Sequence, residues 1–153
     1  MTQKNHCILL AEDDENDVIF LKRAFVKAEV NDALHLAPDG QIAIDYLSGA
    51  GQFADRNTFP FPSLLLLDLK MPRKSGMDVL RWIRAQPTCQ ILPVIVFSSS
   101  VAPQEVSAAY EAGANAFVTK PAGIPERTEL VRLIKGFWLT FTQLPYPAPM
   151  RAT

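Results

Sequence analysis

The run Ser63-Leu64-Leu65-Leu66-Leu67 is unbroken by any charge until it ends on a carboxylate, Asp68. An apolar stretch of that length fits a strand buried on both faces, where an acid is tolerated only at the end. Two further segments close in the same way. Cys7-Ile8-Leu9-Leu10-Ala11 runs into Glu12-Asp13-Asp14, and Pro93-Val94-Ile95-Val96-Phe97 runs into Ser98-Ser99-Ser100. A fourth, Ala116-Phe117-Val118-Thr119, delivers Lys120-Pro121. In an open parallel sheet, chemistry gathers in the crevice outside the carboxyl ends of the strands. Acids, a hydroxyl and an ammonium are therefore expected to meet at one sheet edge.

Helical periodicity fills the intervals between these strands. Val18, Leu21, Phe25 and Ala28 recur at helical spacing from about Asp14 to Glu29, with acids in the first turn. Ala33–Ala37 reads as a further strand, and Ile42, Ala43, Tyr46 and Leu47 mark a helix ending near Gly49. Residues 49–62 form a loop rich in glycine, proline and aromatics, longer than most connections in compact domains. Gly76 to Gln86 reads as a helix with Val79, Leu80 and Ile83 inward. Pro103 is placed to open another helix and Gly113 to end it. A last helix starts near Pro125 and carries Leu130, Val131, Leu133, Ile134 and Trp138. Strands alternating with helices give an α/β fold with a doubly wound parallel sheet, because right-handed crossovers cover both faces.

Composition narrows the classes of function. With 48% hydrophobic and 20% charged residues the chain has the make-up of a globular domain rather than a disordered one. A formal net charge of -1 gives no electrostatic case for nucleic acid or an anionic membrane as partner. The N-terminal residues lack the apolar core of a signal peptide, and no apolar stretch approaches the roughly 20 residues needed to span a bilayer. Cys7 and Cys89 sit apart, without the spacing of a zinc site, and read as reduced thiols in or beside the core. A cytoplasmic location is the expectation.

The strand ends suggest a specific chemistry. Carboxylates converging at strand termini make a hard, anionic, oxygen-rich site suited to Mg²⁺. A divalent ion lets a second anion approach a carboxylate that would otherwise repel it. Phosphoryl transfer to Asp68 then needs its developing charge neutralised by metal, ammonium and hydroxyl donors, and Lys120 and Ser98 offer the last two. An aspartate can carry a phosphoryl group as an acyl phosphate.

Four segments together carry a resemblance. Ile8 to Asp14, Leu67-Asp68-Leu69-Lys70-Met71-Pro72 followed by Gly76, Pro93 to Ser98, and Phe117-Val118-Thr119-Lys120-Pro121 look like the signatures of a two-component response regulator receiver domain, in matching order and spacing. The loop before the Asp68 strand and the ending Gly136 to Pro145 resemble the stand-alone receivers that partner bacterial phytochromes. The resemblance implies a flavodoxin-like (βα)5 fold with strand order 2-1-3-4-5. It implies a receiver domain over residues 5–142, an extended proline-rich tail over 143–153 and no output domain. By position, Asp68 would be the phospho-acceptor. Asp13 and Asp68 would bind Mg²⁺, with Glu12 acting through water and the backbone carbonyl of Lys70 completing the set. Lys120 would contact the phosphoryl group, and the Lys120–Pro121 bond would be cis. Ser98 and Phe117 would form the switch, remodelling the face made by the fourth helix, fifth strand and fifth helix. The implied partner is a sensor histidine kinase, with a bacterial phytochrome the specific candidate.

Plainer readings stand beside these. Glu12, Asp13 and Asp14 could merely cap the first helix, and Asp14 fits a cap better than a metal ligand. Ser98 could belong to a serine turn, Phe117 to the core, and Lys120 to solvent. Lys70 could hover over the phosphoryl group and set its lifetime, or be an exposed lysine without effect. An aspartyl-phosphate phosphatase usually needs a second aspartate two residues after its nucleophile, and Lys70 stands there, so the only catalysis expected is the chain's own phosphorylation and dephosphorylation. A phosphorylation-independent binding module remains the rival of another class. Phe137, Trp138 and Phe141 cannot all face one core at their spacing, which predicts an exposed apolar patch and a homodimer through the C-terminal region. Alternatively, the proline-rich tail covers those rings.

Overall fold

The computed structural model describes residues 6–145. Five strands, β1 (Cys7–Ala11), β2 (Ala33–Ala37), β3 (Leu64–Leu67), β4 (Val94–Ser98) and β5 (Ala116–Thr119), form one parallel sheet in the order β2-β1-β3-β4-β5. The helices between and after them are α1 (Glu15–Lys27), α2 (Gly40–Ser48), α3 (Gly76–Ala85), α4 (Pro103–Glu111) and α5 (Ile124–Ile134). This is the flavodoxin-like order expected from the sequence. Proline-rich sequence beyond Pro145, including Tyr146, lies outside the described residues.

Strand alternation explains the two-sided core. Leu9, Ala11, Leu65 and Leu67 point to the face covered by α2, α3 and α4. Ile8, Leu10, Leu64 and Leu66 point to the face covered by α1 and α5. All residues of β1, β3 and β4 are buried, and each leucine so enclosed contributes about 1.5–3 kcal/mol of burial free energy. Register then places the chemistry. Ala11 pairs with Leu67, so the next residues, Glu12 and Asp68, emerge side by side from neighbouring strands. Ser98 pairs with Thr119, which brings Lys120 to the same edge.

Local signals act where the sequence puts them. Asp14 caps α1, its Oδ1 accepting from the backbone N–H groups of Asn16 and Asp17. Ser75 and Asp78 form a reciprocal capping box at the start of α3. Gly113 follows α4 at φ +107°, in the left-handed region that an L side chain adopts only with strain.

Two segments depart from the expectation. The loop over residues 49–62, expected only as a long connection, is packed against the domain. It contains a short 3₁₀ helix (Gly51–Ala54) and folds Phe53 and Phe59 against Tyr46, with ring centroids 5.0 and 6.0 Å away. Arg56 fastens it, donating to the Tyr46 and Leu47 carbonyls at the end of α2 at 2.8 and 3.0 Å. The last helix also changes pitch, α5 continuing as a π-helical stretch over Lys135–Phe141. Trp138 packs against the core from that stretch, while Leu133, Phe137 and Phe141 are 61%, 62% and 81% exposed. Of the three predicted rings, Phe137 and Phe141 are exposed and Trp138 is not.

Candidate functional site

Glu12, Asp13 and Asp68 converge at the carboxyl end of the sheet, each offering a carboxylate oxygen within 4.8 Å of the others. Glu12 follows β1 and is buried, as is Asp68 after β3, whereas Asp13 faces solvent. The donor set is hard oxygen with one open side. That chemistry fits Mg²⁺, which keeps several waters and takes only one or two carboxylates directly.

Lys120, delivered by β5, reaches into this cluster with its side chain only 7% exposed. Its Nζ donates to Glu12 Oε1, to Asp17 Oδ2 at 3.0 Å and to Asp68 Oδ2 at 3.2 Å. The other Asp68 oxygen accepts from the Lys70 N–H at 3.3 Å. Burial first, and then the neighbouring Asp68 carboxylate, push the Glu12 carboxyl up to about 8 against the pull of Lys120. Burial by itself would lower the Lys120 ammonium, but Glu12, Asp17 and Asp68 together hold it above the ordinary lysine range.

Close packing of backbone fixes Asp68. A Cβ built on Gly76, the first residue of α3, would lie 2.2 Å from the Asp68 carbonyl oxygen. Glycine is therefore required where α3 starts against the end of β3, and its N–H donates to the Leu69 carbonyl at 2.9 Å.

The remaining predicted residues are near but differently engaged. Ser98 is buried, and its Oγ accepts from the Ser100 N–H at 3.2 Å. The Ser98 carbonyl accepts from the Lys120 N–H at 2.8 Å, which ties the ends of β4 and β5 together. Phe117 is half-buried against the core, and its N–H donates to the Tyr110 hydroxyl of α4 at 3.1 Å. The Lys70 side chain is exposed. One expectation is corrected: no peptide bond among the described residues is cis, so Lys120–Pro121 is trans. The two isomers of an X–Pro bond differ by only about 0.5–1 kcal/mol, so the residue pair alone does not decide between them. In the trans chain the Pro121 carbonyl accepts from Arg127 Nε at 2.8 Å.

The sequence reading overlooked Asp17 and Arg127. Asp17 was seen only as an acid of the first helical turn. Its Oδ1 accepts from Arg127 Nη1 at 2.9 Å while Oδ2 takes Lys120. Burial would raise the Asp17 carboxyl, but these two cations outweigh it and hold it below the usual carboxylate range. A signal existed, since Asp17 precedes Leu21, Ala24 and Ala28 on the buried stripe of α1. An acid on such a stripe calls for a partner.

Comparison with known proteins agrees with this geometry. The response regulator receiver domain family matches residues 8–134. The chain belongs to that family. It is 32% identical over 138 residues to the response regulator Rcp1 of Synechocystis sp., covering 90% of this chain and 92% of that protein. A solved structure of RPA3017, a response regulator in red light signaling of R. palustris, is 37% identical with a TM-score of 0.88, covering 92% of this chain and 99% of the other. The phosphorylated cyanobacterial phytochrome response regulator RcpA is 31% identical with a TM-score of 0.86, covering 94% of this chain and all, 100%, of the other. Rcp1 has itself been solved in a Mn²⁺-bound form. Among the described residues no helix is long and apolar enough to cross a membrane.

Proposed function

We propose that this receiver accepts a phosphoryl group on Asp68 from a sensor histidine kinase, with a bacterial phytochrome the candidate kinase. An Asp68 carboxylate oxygen forms the new P–O bond as the bond from phosphorus to the donor histidine nitrogen breaks. Mg²⁺, held by Asp13 and Asp68 with Glu12 behind water and the Lys70 carbonyl completing the set, would neutralise charge on the transferred group. Lys120 supplies the ammonium for a phosphoryl oxygen, and Ser98 turns its hydroxyl from the Ser100 N–H toward another. Phe117 then moves inward behind Ser98, and α4, β5 and α5 present a changed face to a partner or to the next protein of a phosphorelay. A phosphoryl group needs to favour that state by only a few kcal/mol. Lys70 tunes the lifetime of the acyl phosphate, and the exposed Leu133, Phe137 and Phe141 support a homodimer through the C-terminal region.

One arrangement carries the reading. An acceptor carboxylate at a strand end lies within reach of a lysine and two further acids, in a domain of the receiver family. The deciding experiment is intact-protein mass after incubation with acetyl phosphate and Mg²⁺. A gain of one phosphoryl group, absent in Asp68→Asn and absent without metal, is the expected result. No adduct in the parent, together with no response to beryllofluoride, would leave a phosphorylation-independent binding module as the better description.

A further inference from the structure

Lys120 has three N–H donors, and three carboxylates claim them. Glu12 and Asp68 belong to the acceptor site already described. Asp17 does not, yet its hold on Lys120, at 3.0 Å, is shorter than that of Asp68, at 3.2 Å. Asp17 stands in the first turns of α1 with both carboxylate oxygens occupied, and its side chain is 22% exposed. Its second partner, Arg127, is fixed independently. The guanidinium donates to the Pro121 carbonyl and lies over the Phe20 ring at 5.4 Å.

A phosphoryl group arriving on Asp68 needs an N–H of Lys120; the Asp68 contact is replaced by the phosphoryl oxygens themselves, so Glu12 and Asp17 are the contacts that hold the ammonium back. Separating a buried ion pair is costly when it strands an unpaired charge. The Asp17 contact is the exception, because Arg127 keeps that carboxylate paired after Lys120 leaves. We propose that Asp17, braced by Arg127, is a positioning residue that parks the Lys120 ammonium in the resting state and so limits the rate of phosphoryl transfer to Asp68. This rests on the phospho-acceptor reading of the site.

The test compares the parent, Asp17→Asn and Glu15→Gln. Glu15 is exposed on the same helix, so its neutralisation removes the same charge without touching Lys120. The rate of adduct formation with acetyl phosphate and Mg²⁺ is followed by intact mass, with circular dichroism to confirm folding. Asp17→Asn is expected to react faster, on the order of fivefold, and Glu15→Gln at the parent rate. An unchanged or slower Asp17→Asn, or an equal acceleration in Glu15→Gln, overturns the inference. A second readout needs no phosphodonor. The Nζ ammonium resonance of Lys120, assigned by its loss in Lys120→Arg, is expected to be sharp in the parent and in Glu15→Gln and broadened in Asp17→Asn. An ammonium signal indifferent to Asp17→Asn also overturns it. If the parent takes no phosphate and does not respond to beryllofluoride, the phospho-acceptor reading fails, and the ammonium signal still reports on the restraint.

Discussion

The two edges of the sheet are built to opposite standards. Beside β2, the aromatic rings of Tyr46, Phe53 and Phe59 interlock, His35 of the strand itself packs against Tyr46 at 5.8 Å, and Arg56 pins the covering loop to α2. Beside β5 the cover is thin. No residue of β5 is fully buried, and α4 buries only Ala109. Yet β5 is the edge that carries Phe117 and delivers Lys120. Few buried apolar contacts mean a low free energy of local opening. The acids that would hold metal and phosphate thus stand beside fully buried strands, while Phe117 and Lys120 come from the more thinly covered edge. A two-state element needs that kind of asymmetry.

Substitutions can break or sharpen this contrast. Tyr46→Ala should have the largest effect, costing about 3–5 kcal/mol in denaturant unfolding, since it empties a fully buried site and removes the hydroxyl's bond to the Pro60 carbonyl. Arg56→Met should follow at about 1–3 kcal/mol, leaving α2 carbonyls short of a donor. Phe117→Ala should cost only about 1–2 kcal/mol, because its ring is half-buried. If Phe117→Ala instead matched Tyr46→Ala, the β5 edge would be as rigid as its counterpart. Thiol labelling offers a gentler probe. Burial raises the Cys7 thiol, whose Sγ sits beneath the fastened loop against the Pro60 carbonyl. In native protein it should resist a maleimide until global unfolding, and prompt labelling would show that the β2 edge opens locally.

The parts of the molecule legible in sequence are those where one local rule acts alone. β1, β3 and β4 announce themselves because a strand buried on both faces has no room for charge before its end. That same rule brings Glu12, Asp13 and Asp68 together at one sheet edge. Asp14 and Gly113 follow from capping and chirality. Where several weak preferences compete, the reading fails. The aromatics of residues 51–61 have no period, since a loop packs its rings wherever the surface admits them. Widening of α5 into a π-helical stretch leaves apolar spacing almost unchanged, so Phe137 and Trp138 gave no warning of it. The Asp17–Arg127 pair joins residues more than a hundred positions apart, beyond any local window.

Gly76 has one more implication, for heredity rather than mechanism. Every single-nucleotide change that replaces this glycine by another amino acid adds a Cβ, and here that atom would collide with the backbone of Asp68. A residue with no functional group is therefore closed to substitution on steric grounds alone. The joint beneath Asp68 offers drift no first step.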